Sequence, residues 1–445
     1  MKTIVTATTF FAVFLGASVM LFAIGPNFNP NQSAEAIKSV SRGASTEIDA
    51  VFFNPAGTAF MQDGLYFYLS DQFLYFPLVI KPFGGYANEL LGLSRNEYYG
   101  DITVYSFVNL YLVYKKDRLA WSFGLLPIGG GGFTHYNSGL QLFDVAFNPN
   151  SVLGGVLNQL YTSAGFGNGV VGRSIISHFT AFSVVYAAQT SVAYDIIKDK
   201  LSLSLGVRFL YEITVADAAL HSLGGTFGGY LPGATDFHAD QRGMAFGLIA
   251  GVSAKPLKEL TIGITGDWNS PARLKTESSN YAALAMLDKS NIDGFKKHEQ
   301  MAGNLGIGAA YLIQGFQIAA NYVYIFNQFA QMNGRERNYI GGYNIGAGID
   351  YTFKAVPLNI GCGYLWTATG ARPSALDQIH DDINFHAVGC GVSYLFTEKM
   401  KLTLAFAHTH YITTDINHGT LLRVAPAKYY RRGYDGAIGF TYKAI

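Results

Sequence analysis

From Leu201 to Val215 every odd position is apolar: Leu201, Leu203, Leu205, Val207, Phe209, Tyr211, Ile213 and Val215. Between them stand Ser202, Ser204, Gly206, Arg208, Leu210, Glu212 and Thr214. A period of two describes a strand with one apolar face and one small or polar face. The pattern returns in segment after segment to the C-terminus. In a soluble sandwich such faces must meet in a core. Here the strands are long and their apolar faces are rich in tyrosine and phenylalanine, which fits a face solvated by lipid. Closure into a barrel removes every edge and satisfies the ladder without water. The expectation is an all-β chain, a transmembrane antiparallel β-barrel.

Composition fits that class. Hydrophobic residues make up 49% of the chain and aromatics 15%, against 14% charged. Beyond the N-terminus no apolar run approaches the roughly 20 residues that a spanning helix needs. A net charge of +1 gives no reason to expect a nucleic-acid partner. Glycine, at 51 residues, falls mostly on the inner parity of the strands, so the inner wall offers little side-chain bulk. Length alone allows two or three soluble domains, but a continuous series of hairpins argues for one barrel.

Lys2 precedes an apolar stretch from Ile4 to Ala23, with small residues near its end. That order describes a secretory signal, residues 1–23, with Ala23 the preferred cleavage point and Ala17–Ser18 an earlier alternative. Residues 24–64 then precede the barrel of residues 65–445.

Six short connections punctuate the chain: 115–118, 197–200, 255–259, 313–315, 354–356 and 398–400. Between them lie longer ones. Short turns on the periplasmic side and long loops outside are the asymmetry of these barrels. Six short turns with both termini periplasmic require seven outer loops and fourteen strands. These are expected at 65–79, 101–114, 119–128, 178–195, 201–217, 241–254, 260–274, 298–312, 316–330, 340–353, 357–368, 384–396, 401–413 and 433–443. Parity sends Ile318, Tyr322, Ile345 and Ile349 to lipid and Gln317, Asn321, Gly348 and Asp350 inside. Lumenal mid-strand charges are few, with Arg208, Glu212, Asp267 and Asp350 the clearest. A polar-solute porin carries a more heavily charged constriction.

The segment Asn31–Gly64 combines a short helix-compatible stretch, Ala34–Val40, with Ala50-Val51-Phe52-Phe53 running into Asn54-Pro55-Ala56-Gly57. Asn-Pro disfavours helix at Asn54, and Gly57 permits a tight turn. Folded into the lumen, this segment covers its apolar residues and closes the pore.

Ser41-Arg42-Gly43-Ala44-Ser45-Thr46, Asp49-Ala50 and Asn54-Pro55-Ala56-Gly57 resemble the hatch of the FadL/TodX outer-membrane transporters. The placement strengthens the likeness: the four-residue motif follows the signal by about thirty residues and directly precedes an aromatic strand. The resemblance implies an N-terminal hatch in a fourteen-stranded barrel of a Gram-negative outer membrane. It implies passive carriage of long-chain fatty acids or other hydrophobic compounds, with no cofactor, metal or enzyme activity. Ligand is captured outside, passes beside the hatch and leaves sideways where the third strand kinks.

The residues here that match this scheme are Phe52, Phe53, Asn54, Pro55, Ala56 and Gly57 in the hatch. Pro127, Gly129, Gly130, Gly131 and Gly132 stand at the third strand, where proline removes a ladder donor and glycine resists bending little. The alternative there is that the strand ends at Leu126. Leu153, Val156, Leu157 and Leu160 sit at helical spacing in the third strand's long outer loop, as a capture groove or as a self-packed lid. Lys38, Arg42 and Arg208 are the cations that a fatty-acid carboxylate could use. Arg208 has an alternative partner in Glu212, and Lys38 has one in water.

Cys362 and Cys390 share the lipid-facing parity of neighbouring strands, either as a cross-strand disulfide or as two small unpaired residues. The expected partners are one hydrophobic small molecule and outer-membrane lipid, around a monomer. The rival readings are a structural or adhesive plugged barrel and a porin for small polar solutes.

Overall fold

The computed structural model describes residues 31–83, 96–136, 139–141, 173–223, 234–279, 293–376, 382–416 and 427–444. The strand segments form one antiparallel sheet closed on itself as fourteen staves. The first stave is β1 (Gly64–Pro82), and the second is divided into β2 (Tyr98–Val104) and β3 (Asn109–Lys116). Next come β4 (Leu119–Tyr136), β5 (Arg173–Ile197), β6 (Leu201–Leu223) and β7 (Ala234–Ala254). The seventh stave joins β8 (Leu260–Asn269) to β9 (Ala272–Ser279), and the eighth joins β10 (Lys296–Glu299) to β11 (Asn304–Ile313). Four single strands follow, β12 (Phe316–Ile325), β13 (Gly342–Thr352), β14 (Leu358–Ala368) and β15 (Phe385–Thr397). The last two staves are β16 (Met400–Tyr411) with β17 (Thr414–Ile416), and β18 (Ala427–Lys443). β18 closes the ring on β1, from Tyr66 opposite Lys443 to Pro82 opposite Ala427.

All fourteen expected staves are present, with three kinds of difference. Three are interrupted where a continuous strand was expected, 101–114, 260–274 and 298–312, and the thirteenth breaks at its expected end before resuming as β17. Others run past their expected ends, most of all the third, expected at 119–128 and observed to Tyr136, and the sixth, which begins seven residues before 241. Alternation weakens near the long connections, where water replaces lipid on the outer face, so the pattern under-reads strand length there. The ninth errs the other way, ending at Ile325 where 330 was expected.

Parity holds. Ile318, Tyr322, Ile345 and Ile349 are exposed on the outer surface, whereas Asp350 and Asn344 are buried within. In the tight turns Asp117, Asp199 and Gln314 adopt positive φ (53°, 58° and 50°), a conformation that Asp tolerates by bonding its own backbone.

Candidate functional site

Residues 31–63 lie against the inner faces of strands around the ring. Ser33 opens the helix Ala34–Ser39, its hydroxyl accepting from the Ala36 amide. Asn31 donates to Asp435 of β18, and Gln189 of β5 donates to the Val51 carbonyl. Ser202 of β6 donates to the Ala56 carbonyl, and Asn54 donates to Ser253 of β7. The segment is thus bonded to β18, β5, β6 and β7 in turn.

The four-residue motif is a backbone device. The Asn54 amide donates to the Ala50 carbonyl and ends the short helix Ala50–Phe53. Pro55 then starts a 3-10 turn, where its missing amide costs nothing. The Asn54 side chain donates to the Ser45 carbonyl at 3.0 Å. A Cβ on Gly57 would stand 2.2 Å from that carbonyl, so only glycine fits.

Facing β11–β16, the segment is held by charge and by close backbone approach. Lys38 is buried, pairs with Asp350 of β13 at 2.9 Å and donates to Asn359 and Ser393. It is therefore not solvated. Arg42 grips the fully buried Asp49 with two hydrogen bonds of 2.7 and 2.8 Å and reaches Glu47 at 2.9 Å. Lys401 of β16 bridges Glu35 and Glu47. Burial pushes the Glu35 carboxyl up, but Lys401, the Tyr68 hydroxyl and Arg42 outweigh it and hold that carboxyl below its ordinary range. Glycines make room for the contact. A Cβ on Gly348 would lie 1.9 Å and one on Gly363 2.3 Å from the Ser39 carbonyl, and one on Gly389 1.9 Å from that of Ile37.

Facing β3–β7, the same segment is held by apolar packing. Ile48, Val51 and Phe52 form a buried cluster with Tyr68, Tyr111, Leu126 and Ile128, and Phe53 packs at its edge. Each fully buried side chain of this kind contributes about 1.5–3 kcal/mol.

Beside that cluster the wall is interrupted. β3 and β4 pair from Lys116–Leu119 to Leu110–Leu125, and the ladder resumes between β2 and β4 with Thr103 opposite Phe133. No ladder pairing joins 104–109 to 126–132. On its other edge β4 slips register against β5 at Pro127, Gly129 and Gly132. Gly130 and Gly132 take positive φ, 96° and 75°. The third strand therefore does not end at Leu126; it passes through the glycine run, Gly131 included, and continues. The freed Pro127 carbonyl accepts from the buried Gln32 side chain at 2.9 Å, and Tyr111 donates to the Gln32 carbonyl. Opposite, the Phe107 amide turns to Asp71 and to the Gln72 carbonyl.

Arg208 does not pair with Glu212. It donates to Gln189, pairs with Asp267 at 3.3 Å and lies over the Phe52 ring, whereas Glu212 has Lys297 and Glu299 as its charged neighbours. Four residues along a strand places two side chains about 13 Å apart, so a cross-strand acid wins. Arg208, Asp267, Asn304, Arg42 and Phe52 line a cavity of about 60 Å³. That is room for a few waters rather than for an alkyl chain. Leu153, Val156, Leu157 and Leu160, like the signal residues 1–23, lie outside the described residues. Cys362 and Cys390 are direct register partners on the outer surface, and both are free thiols. Among the described residues no cluster of His, Cys, Asp or Glu could hold a metal.

The acids that pair with Lys38 and Arg208 are not assigned from sequence. Asp350 and Asp267 carried a signal, since an inward acid in mid-strand needs a buried cation. Gln32 and Lys401 carried none.

No protein-family model matches the sequence, and no curated protein is similar to it at the sequence level. Solved structures are similar in fold. A FadL homologue of Pseudomonas aeruginosa superposes with a TM-score of 0.64 at 12% identity, covering 94% of this chain and 99% of its own. The toluene transporter TodX of Pseudomonas putida gives 0.59 at 14% identity, covering 90% and 94%. The toluene transporter TbuX of Ralstonia pickettii gives 0.53 at 15%, covering 89% and 94%. The chain thus shares, over nearly its whole length, the fold of the FadL/TodX-type outer-membrane barrels.

Proposed function

We propose that this protein is a passive outer-membrane transporter for hydrophobic small molecules, with residues 31–63 as its hatch. The observation that carries the reading is the interrupted ladder between β2/β3 and β4, bordered inside by the apolar cluster and outside by lipid. A compound that leaves through such a gap enters the membrane without crossing water. Gln32, bonded to the Pro127 carbonyl, is the latch on the inner side. Leu153, Val156, Leu157 and Leu160 are the proposed capture surface.

The charges argue for the ligand's chemistry. Lys38, Arg42 and Arg208 already have acidic partners. A fatty-acid carboxylate would have to displace one, leaving a buried acid uncompensated. Uncharged compounds such as monoaromatic hydrocarbons are favoured over long-chain fatty acids. TodX and TbuX, similar in fold, are described as toluene transporters.

Native mass spectrometry of the purified barrel, with extraction of copurified compounds and competition between toluene and oleate, tests this. Binding of an apolar compound, weakened by Phe52→Asn, is expected. A barrel that binds neither would be a plugged structural protein.

A further inference from the structure

The outer surface of β14–β18 carries a patch that transport does not use. At one level these strands present outward Trp366, His386, His410 and Arg432, each the register partner of the next. Neighbouring strands stand about 4.8 Å apart, so the row spans about 15 Å. One step towards the membrane lies His408, its ring 5.1 Å from Tyr434 and its Nδ1 buried with no hydrogen-bond partner. Below come Phe406, then Leu404 and Ile438, all exposed to lipid.

The charge is one-sided. β14, β15, β16 and β18 contain one acid, Asp435, which is buried and bonded to Asn31 on the inner face. Asp415 of β17 stands opposite Lys428, two rows farther out. Arg432 and His410 have no acidic partner among the described residues. The short turns at 354–356 and 398–400 lie at the far end, which puts the row at the outer leaflet. Tyrosine and tryptophan beside it mark the level of the headgroups.

We propose that this patch seats the phosphorylated glycolipid of the outer leaflet, lipopolysaccharide. Arg432 and His410 take a phosphate by charge-assisted hydrogen bonds. The acyl chains lie along Phe406, Leu404 and Ile438. The proposal rests on the outer-membrane reading and not on the transport reading.

The test purifies the full chain from outer membranes in mild detergent and measures retained lipopolysaccharide by native mass spectrometry. Arg432→Glu with His410→Glu is compared with the unaltered protein, and the folded state of both is checked by heat-dependent gel mobility. Retention by the unaltered protein, cut at least about tenfold in the folded variant, is expected. Lipid A should compete, and its dephosphorylated form should not. Equal retention by the folded variant, or equal competition by dephosphorylated lipid A, overturns the proposal. Toluene uptake, followed in parallel, should not change, so a failure here leaves transport standing.

Discussion

The N-terminal segment meets two walls of opposite character. Along β11–β16 the ladder runs with a single slip, between Leu395 and Thr397, and the segment is clamped by Lys38–Asp350, by Lys401 and by glycines that admit its backbone. Along β3–β7, beside a broken ladder, it is held by apolar packing and by uncharged hydrogen bonds, from Gln189, Ser202 and Tyr111 to its carbonyls, from Asn54 to Ser253 and from Gln32 to the Pro127 carbonyl. Ion pairs and backbone contacts are geometrically strict, whereas apolar contacts slide and reform. In the proposed transport route the first side is the anchor and the second the face that parts.

Four changes test that contrast. The largest effect is expected from Gly348→Leu with Gly389→Leu. Each side chain would overlap a carbonyl of the segment, so the anchor cannot form. Ion conductance in planar bilayers should rise to that of an open pore. Arg42→Ala follows, because it strips the fully buried Asp49 of its cation; a loss of about 3–5 kcal/mol should appear as faster proteolysis within residues 31–63.

On the apolar side Leu126→Ala should cost about 2–5 kcal/mol in barrel stability, read by urea unfolding, yet leave conductance low. Acid should have the mildest effect. With Glu35 held below its ordinary range in the docked state, that contribution is complete above the free carboxylate value of 4.5 and is lost as pH falls through the depressed value. Hydrogen exchange of residues 34–39 should therefore stay slow at neutral pH and quicken only in strong acid.

Much of this was legible in the sequence, for a physical reason. A period of two reports which solvent each face meets, so Ile318 and Asp350 declared their sides before any pairing was known. Turn chemistry at Asp117 and Asp199 set the count of staves. Pairing between distant residues leaves no such trace. Nothing in Lys401 or Gln32 announces a partner more than 90 residues away, and Glu212, close to Arg208 in sequence, was the wrong acid. The break in the wall was half legible: Pro127 and the glycines marked β4, but its other edge, at Tyr105–Val108, carries no breaker residue at all.

The central claim is that apolar compounds leave through that break. Photolabelling with an alkyl diazirine, followed by peptide mapping, tests it most directly. Leu126 and Phe107 are both buried and flank the gap from within. Label is expected on both, removed by excess toluene. Label confined to outward residues that every lipid-facing stave shares, such as Ile318 and Tyr322, would contradict it.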